Sequence, residues 1–394
     1  MKDLYQESLF LHEKMRGKIA IQTKLNIHTK EDLALVYSPG VAEPCRAIAK
    51  DPSKASLYTM KSNTVAVITD GSAVLGLGNI GPLAAIPVME GKAMLFKKFA
   101  NIDAFPICLD TQDVDEIVQT IRHIAPVFGG INLEDIAAPR SFEIESRLQD
   151  LGIPVFHDDQ HGTAIVVLAA LINSCKVLGK KLEQLKVVIN GAGAAGIAIT
   201  RLLRCIHNDP NECIPVKEII ACDSKGIISN NRTDLNKAKK EILWYTNPNN
   251  LNGSVQDALV GADVFIGVSI GNVLTAEDIK TMAQDPIVFA LANPIPEIMP
   301  NEALKGGAAI VATGRSDFPN QVNNVLAFPG IFRGALDVQA KTISNAMKLA
   351  AAHAIARSVH TLDLSTEMII PSSLNAKVAY EVAEAVKNVS KLNK

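Results

Sequence analysis

The chain has 394 residues, of which 48% are hydrophobic and 20% charged, enough for two or three globular domains with buried cores. A net charge of −2 gives no reason to expect a nucleic-acid or acidic-membrane partner. The longest apolar run, Ala164 to Ile172, is about half of the ~20 residues that a bilayer crossing needs, so a cytoplasmic protein is expected.

The N-terminal stretch is charged throughout and has no signal-peptide core. Its Leu4, Leu11 and Met15 share one helical face, which predicts a docking helix. Tyr37 precedes Ser38-Pro39-Gly40, a type II turn pattern that either holds the phenol at a fixed point in a cleft or anchors the loop. Thr64–Asp70 and Ile102–Asp110 read as strands around a helix, Pro82 to Ala100. In that helix Lys92 has Val88, Met89, Leu95 and Phe96 as its helical neighbours, so its amine falls on the apolar stripe. Desolvation there lowers a lysine pKa and makes it available as a general base, unless the chain snorkels at the stripe's edge. Ile153–His157 is a further short strand.

Two acidic pairs follow, Glu134-Asp135 and Asp158-Asp159. Hard oxygen ligands suit Mg²⁺ or Mn²⁺, although such pairs also occur as solvated turns and helix caps. His157 and His161 are four apart, but with a strand ending at His157 and a helix from near Thr163 they diverge, which argues against zinc.

The second half alternates more regularly. Lys186–Asn190, Glu218–Cys222, Ala262–Val268, Ile287–Asn293 and Ala308–Ala312 are apolar runs with helical segments between them, which predicts a parallel sheet covered on both faces. The domains expected are 1–155, 156–333 and a set of C-terminal helices, 334–394, packing back on the first. Gly191-Ala-Gly193-Ala194-Ala195-Gly196 follows a strand directly and opens a helix, the context a dinucleotide-binding turn requires. The next strand ends in Asp223, placed to accept ribose hydroxyls; a loop at 207–215 accounts for its long spacing. A second GxGxxG, Gly76 to Gly81, lacks that context and reads as a turn or a loop lining the cleft. Asn293 ends a strand where ligands bind in such sheets, and Asn323-Asn324 lie in a turn-rich stretch. The six cysteines show no metal or disulfide spacing and read as free thiols in a reducing compartment.

Together YSPGVAEPC, TDGSAVLGLGNIGP, PVMEGKAMLF, FGGINLEDI, VFHDDQHGTA, INGAGAAG, CDSKG, FALANPIPE and NQVNNVLAFPG resemble the malic enzymes of the short prokaryotic type, from about residue 15 to about 360. The resemblance implies an α/β fold with an N-terminal substrate domain and a Rossmann-type doubly wound NAD(P) domain. It implies oxidative decarboxylation of L-malate, with Glu134, Asp135 and Asp159 as metal ligands, Lys92 as base, Tyr37 as acid and Asp158 tuning the lysine. Asn293 and Asn324 would hold the substrate carboxylate, with Asn293 also beside the cofactor. A homodimer or larger assembly is expected from the family. Larger members carry an arginine after the TDG turn where this chain has Ala73, leaving Arg140 and Arg315 as candidates for the second carboxylate. Asp223 favours NAD because it repels a 2′-phosphate, while Lys225 keeps NADP open. The alternatives are a malolactic conversion to lactate, an amino-acid dehydrogenase on a similar scaffold, or a binding protein that has lost its chemistry.

Overall fold

A computed structural model describes residues 4–74 and 76–392, Leu392 by its backbone alone. Two sheets organise it. The first has four parallel strands in the order β2-β1-β3-β4, with β1 Thr64–Thr69, β2 Asp103–Cys108, β3 Gly130–Leu133 and β4 Val155–His157. β1 (TVAVIT) is buried at every position, as a strand with both faces covered must be. β4 pairs with β3, so this sheet extends through His157.

The second sheet has the order β10-β9-β8-β5-β6-β7. Its strands are β5 Lys186–Asn190, β6 Glu218–Asp223, β7 Gly226–Ile227, β8 Val264–Gly267, β9 Ile287–Ala290 and β10 Ile310–Thr313. All pairs are parallel except β6 with the two-residue β7. From β5 the chain moves to one side through β6 and then to the other through β8, so a switch-point crevice opens at the carboxyl ends of β5 and β8.

Between the sheets runs the helix Asp158–Leu178, with fourteen buried residues. It is long and apolar enough to cross a membrane, yet 67% of its most apolar window is buried inside the protein. Its neighbours are the helices Ala194–Leu203 and Asn345–Arg357. It begins at Asp158, five residues before the expected start, because aspartates in a first turn complement the helix dipole. The helices Phe328–Asp337 and Ala376–Leu392 pack on one another and on Gly81–Ala100. Phe96, Phe156, Phe328 and Phe332 knit these parts, with ring centroids 4.7 to 5.9 Å apart and steep interplanar angles. Such pairs contribute ~0.5–1.5 kcal/mol each beyond the area they bury.

Two expectations are corrected. The helix Leu4–Met15 forms, but Leu4, Leu11 and Met15 are 74%, 55% and 60% exposed, so the face expected to dock stays uncovered. Cys205 and Cys213 are joined in a disulfide, closing a loop of separation 8, so the thiols are not all free. The pairing arises because the chain after Leu203 folds back on the end of its helix, with Val216 N–H bonded to the Leu203 carbonyl at 2.9 Å.

Candidate active site

β3 and β4 are adjacent, and their register sets Leu133 against His157. The next residues on each strand, Glu134 and Asp158, therefore emerge side by side. From across the cleft the helix Gly81–Ala100 supplies Lys92, whose Nζ lies 2.6 Å from Asp158 Oδ2 and 2.8 Å from Glu134 Oε1. All three side chains are buried. The far oxygen of Glu134 accepts from Asn132 Nδ2 at 2.9 Å. Asp158 Oδ2 also accepts a short hydrogen bond from Asn324 Nδ2.

Ligand oxygens of Glu134, Asp135 and Asp159 all lie within 4.8 Å of one another. Asp135 takes a left-handed backbone, φ 53°, and donates its N–H to Asp159 Oδ2 at 2.7 Å. Three carboxylates this close, two of them buried and Asp159 partly so, repel one another. Burial pushes the Glu134 carboxyl up to about 7, with Lys92 pulling it down and Asp159 adding to the rise. Asp159 is raised to about 6, again chiefly by burial. An all-oxygen donor set under this strain fits a hard divalent cation. Among the described residues His157 and His161 belong to no such group: His161 turns to Glu145, 2.9 Å away, and His157 is buried, its pKa lowered to about 4 chiefly by that burial.

Burial alone would lower the pKa of Lys92, as its place on the apolar stripe suggested. Instead Asp158 and Glu134 outweigh burial and hold the ammonium charged, above the usual lysine value. Asp158 is itself raised to about 7 by burial, against the pull of Lys92. The pair is thus a buried ammonium–carboxylate ion pair with the proton on the amine. The Phe328 ring lies under the amine, 4.2 Å from its centroid, and adds a cation–π contact.

Other candidates are less closely gathered. Tyr37 caps the helix Lys30–Val36, is 68% exposed, and its phenol bonds to no described residue. Gly40 is not in the left-handed region that the third position of a type II turn requires, so the turn there is not type II. Asn293 stands on a loop whose carbonyl meets the second glycine motif: a β-carbon at Gly76 would fall 2.2 Å from the Asn293 oxygen. That motif therefore borders the cleft. Arg140 is paired with Asp70 at 3.0 Å, with its Nε left without a partner among the described residues, and Arg315 is paired with Asp317 at 2.7 Å. Ala73 gives its N–H to the Asp135 carbonyl and ties the TDG turn to the acidic cluster.

At the switch point the Gly191 backbone has φ +119°, and a β-carbon there would meet the Val268 carbonyl at 2.6 Å. One at Gly196 would lie 1.7 Å from the Gly191 carbonyl, so helix and strand close only with glycine. At Gly193, which caps the helix carrying Ala194 and Ala195, nothing stands within 4 Å, leaving the approach a pyrophosphate needs. Asp223, expected at the ribose hydroxyls, stands among cations. Arg232 binds both of its oxygens, at 2.7 and 3.0 Å, and Lys239 lies 2.6 Å from Oδ2. With the Lys225 N–H at 2.9 Å, its acceptor sites are taken and its charge is offset.

Sequence reasoning passed over four residues that shape this site. Gly162 leaves room for Asp158, and a glycine interrupting a helical stretch was its signal. Glu297 is buried and accepts the N–H groups of Ser269 and Ala292 at 2.9 and 3.0 Å, fixing the turn before Asn293. Asn132 and Phe328 gave no local signal.

Residues 14–149 match the family model "Malic enzyme, N-terminal domain", and residues 160–391 match "Malic enzyme, NAD binding domain". The chain is 57% identical to the bifunctional malic/malolactic enzyme of Bacillus subtilis, over 97% of this chain and 92% of that protein. It is 58% identical to an NAD-dependent malic enzyme of Geobacillus stearothermophilus, covering 94% and 76%. It is similar in structure to an NAD-dependent malic enzyme of Thermotoga maritima, with a TM-score of 0.91 at 52% identity, covering 96% and 98%.

Proposed function

The chain belongs to the malic enzyme family, and from that premise we propose how its residues divide the work of the reaction. It catalyses oxidative decarboxylation of L-malate to pyruvate and CO₂ with reduction of NAD(P). One observation carries the assignment of roles: Glu134 belongs both to the three-carboxylate group and to the buried pair made by Lys92 and Asp158. The base and the cation site therefore sit at one point.

Glu134, Asp135 and Asp159 would hold Mg²⁺ or Mn²⁺, which supplies Lewis acidity at the substrate hydroxyl and stabilises charge developing on oxygen. A nicotinamide bound along the Gly191 crevice supplies the hydride acceptor. Lys92 takes the hydroxyl proton. Being charged at rest, it would first have to release a proton, and Asp158, in contact with the amine at 2.6 Å, is the group in reach to take it. Asn324 positions Asp158 with one amide hydrogen and has a second for the substrate carboxylate. Asn293 faces the same cleft from the cofactor domain. Tyr37 would give its phenol proton to carbon after CO₂ departs and, being 68% exposed, regain one from solvent.

Tyr37 lies in an arm that buries none of its helical residues between Leu4 and Lys50. Leu9, Phe10, Ile21, Leu25 and Leu35 are each at least 66% exposed. That much uncovered apolar surface supports a homodimer in which a second copy covers the arm. For the cofactor, NAD remains our choice, with NADP tolerated because Arg232 and Lys239 offset Asp223. A malolactic outcome is the second reading, favoured by the name of the Bacillus subtilis relative.

The test supplies L-malate, Mn²⁺ and either NAD or NADP, and follows reduced cofactor and pyruvate. Lactate formed without net cofactor reduction would favour the second reading. Lys92→Ala is expected to abolish turnover while cofactor binding persists. Near-normal malate oxidation by that variant removes Lys92 from the mechanism, and activity that survives a chelator removes the cation.

A further inference from the structure

We infer that a cavity of about 300 Å³ between the helices Asp158–Leu178, Ala194–Leu203 and Asn345–Arg357 is a binding site for a small organic anion, a carboxylate or phosphate on a short apolar stem, seated on Lys348. The cavity borders the carboxyl-terminal half of the helix Ala194–Leu203, through Ala198, Arg201 and Leu202, whereas the dinucleotide turn lies at the start of that helix. It is a place apart from the cofactor crevice.

Its chemistry follows from the hydrogen bonds around it. The Lys348 amine contacts only the His161 ring, 3.2 Å from Nδ1 and 3.4 Å from Nε2. Nε2 of that ring lies 2.9 and 3.0 Å from the two oxygens of Glu145. Nε2 therefore carries the proton given to Glu145, and the amine, nearly equidistant from the two ring nitrogens, rests against the face of the ring. This uses one of three N–H groups. Among the described residues nothing accepts the other two, and no carboxylate lies within 4.0 Å of the amine.

The nearby acids are committed elsewhere. Glu145 also accepts the His157 N–H at 3.1 Å and Gln160 Nε2 at 3.2 Å. Glu241 holds Arg201 through two hydrogen bonds, at 2.8 and 3.2 Å. A half-buried ammonium whose nearest carboxylate, Glu145, is reached only across the His161 ring is costly, and burial depresses the pKa of Lys348 against the pull of Glu145. An anion entering the cavity would satisfy its two idle donors. Ala164, Ile165, Ala198 and Leu202 give the cavity an apolar floor that bare phosphate would not fill, which points to a ligand with a short hydrocarbon part. Asn345 and His207 stand at the rim, the latter in the loop that the Cys205–Cys213 disulfide closes.

The experiment titrates the full chain with butyrate and, separately, with inorganic phosphate and propyl phosphate, by calorimetry. Saturable binding of butyrate or of propyl phosphate is expected, and which of them binds names the head group. Lys348→Met should weaken that binding at least tenfold and Lys348→Arg should keep it. Asn345→Trp, which fills the mouth without touching the amine, should also abolish it. Uptake at the malate site would survive in all three variants and is thereby told apart. Should Lys348→Met not fold, Asn345→Trp decides alone. No saturable binding of any probe to the wild type, or binding unchanged in the folded variants, overturns the inference.

Discussion

Gly162 stands one helical turn after Asp158, and a β-carbon placed there would lie 1.9 Å from Asp158 Oδ1, 2.9 Å from its Cγ and 3.2 Å from the Asn324 Cβ. To restore an ordinary C···O separation of about 3.3 Å, the carboxylate must retreat roughly 1.4 Å. Asp158 is fully buried and gripped by Lys92 and Asn324, so that retreat breaks the 2.6 Å contact with the Lys92 amine. A misplacement of ~1 Å in a reacting constellation costs about 100-fold in rate, equivalent to ~2.7 kcal/mol of barrier. The helix itself gains, since alanine is favoured over glycine by about 1 kcal/mol in a helix interior. Gly162→Ala should therefore lower kcat/KM for malate about 100-fold while the melting temperature stays within a few degrees of the wild type and dinucleotide affinity is unchanged. Steady-state kinetics, thermal melting and cofactor titration measure the three quantities. A kcat/KM within threefold of the wild type, or a variant that loses its fold, would show that Asp158 does not absorb the added methyl in the way described.

Three further outcomes follow from the geometry. Removing the Lys239 amine leaves Asp223 less neutralised, so Lys239→Ala should lower the ratio of NADP to NAD efficiency about tenfold, read from kcat/KM with each cofactor; an unchanged ratio separates Lys239 from cofactor choice. Burial pushes the Glu145 carboxyl up, but His161 and Lys348 outweigh it and hold its pKa at about 2, below the ordinary value. A depressed acid stabilises the fold above its unfolded pKa of ~4.3 and loses that contribution as pH falls toward 2, an effect of up to about 3 kcal/mol. Glu145→Gln should flatten stability against pH in that window, and denaturant unfolding of the two proteins at pH 4.5 and 2.5 tests it. Closing the loop between Cys205 and Cys213 is worth roughly 2.5 kcal/mol by loop entropy, so reductant or Cys205→Ser should lower the melting temperature by several degrees; no change on reduction would mean that the cross-link does not form in solution.

Where burial alone decides structure, the sequence was a sufficient guide. β1, β5 and the flanks of the switch point announce themselves as unbroken apolar runs, and the Gly191 turn follows from its place between a strand and a helix. β3 escaped notice because GINL is short and opens on glycines. The start of the Asp158 helix was misjudged because HDDQHG has the composition of a turn, and only the packing of Gly162 against Asp158 shows why a glycine belongs there. Site chemistry was legible as residue types and not as pairings. Lys92 could be placed on an apolar stripe, but the two acids that keep it charged follow the ends of strands and lie 42 and 66 positions away. Asp223 was found, while the cations that blunt it lie 9 and 16 residues later in a segment without a motif. Partners brought together by tertiary folding leave no periodic trace.

The helix Asp158–Leu178 has one consequence for the evolution of this scaffold. Its first turn holds two of the acids and the remainder is the axle of the interior. A change of volume at Ile165 or Leu168 would tilt that axle and swing Asp158 and Asp159 by a similar angle. Libraries aimed at altered substrate scope could thus randomise the hidden half of this rod, well away from the opening, and still retune the reacting end.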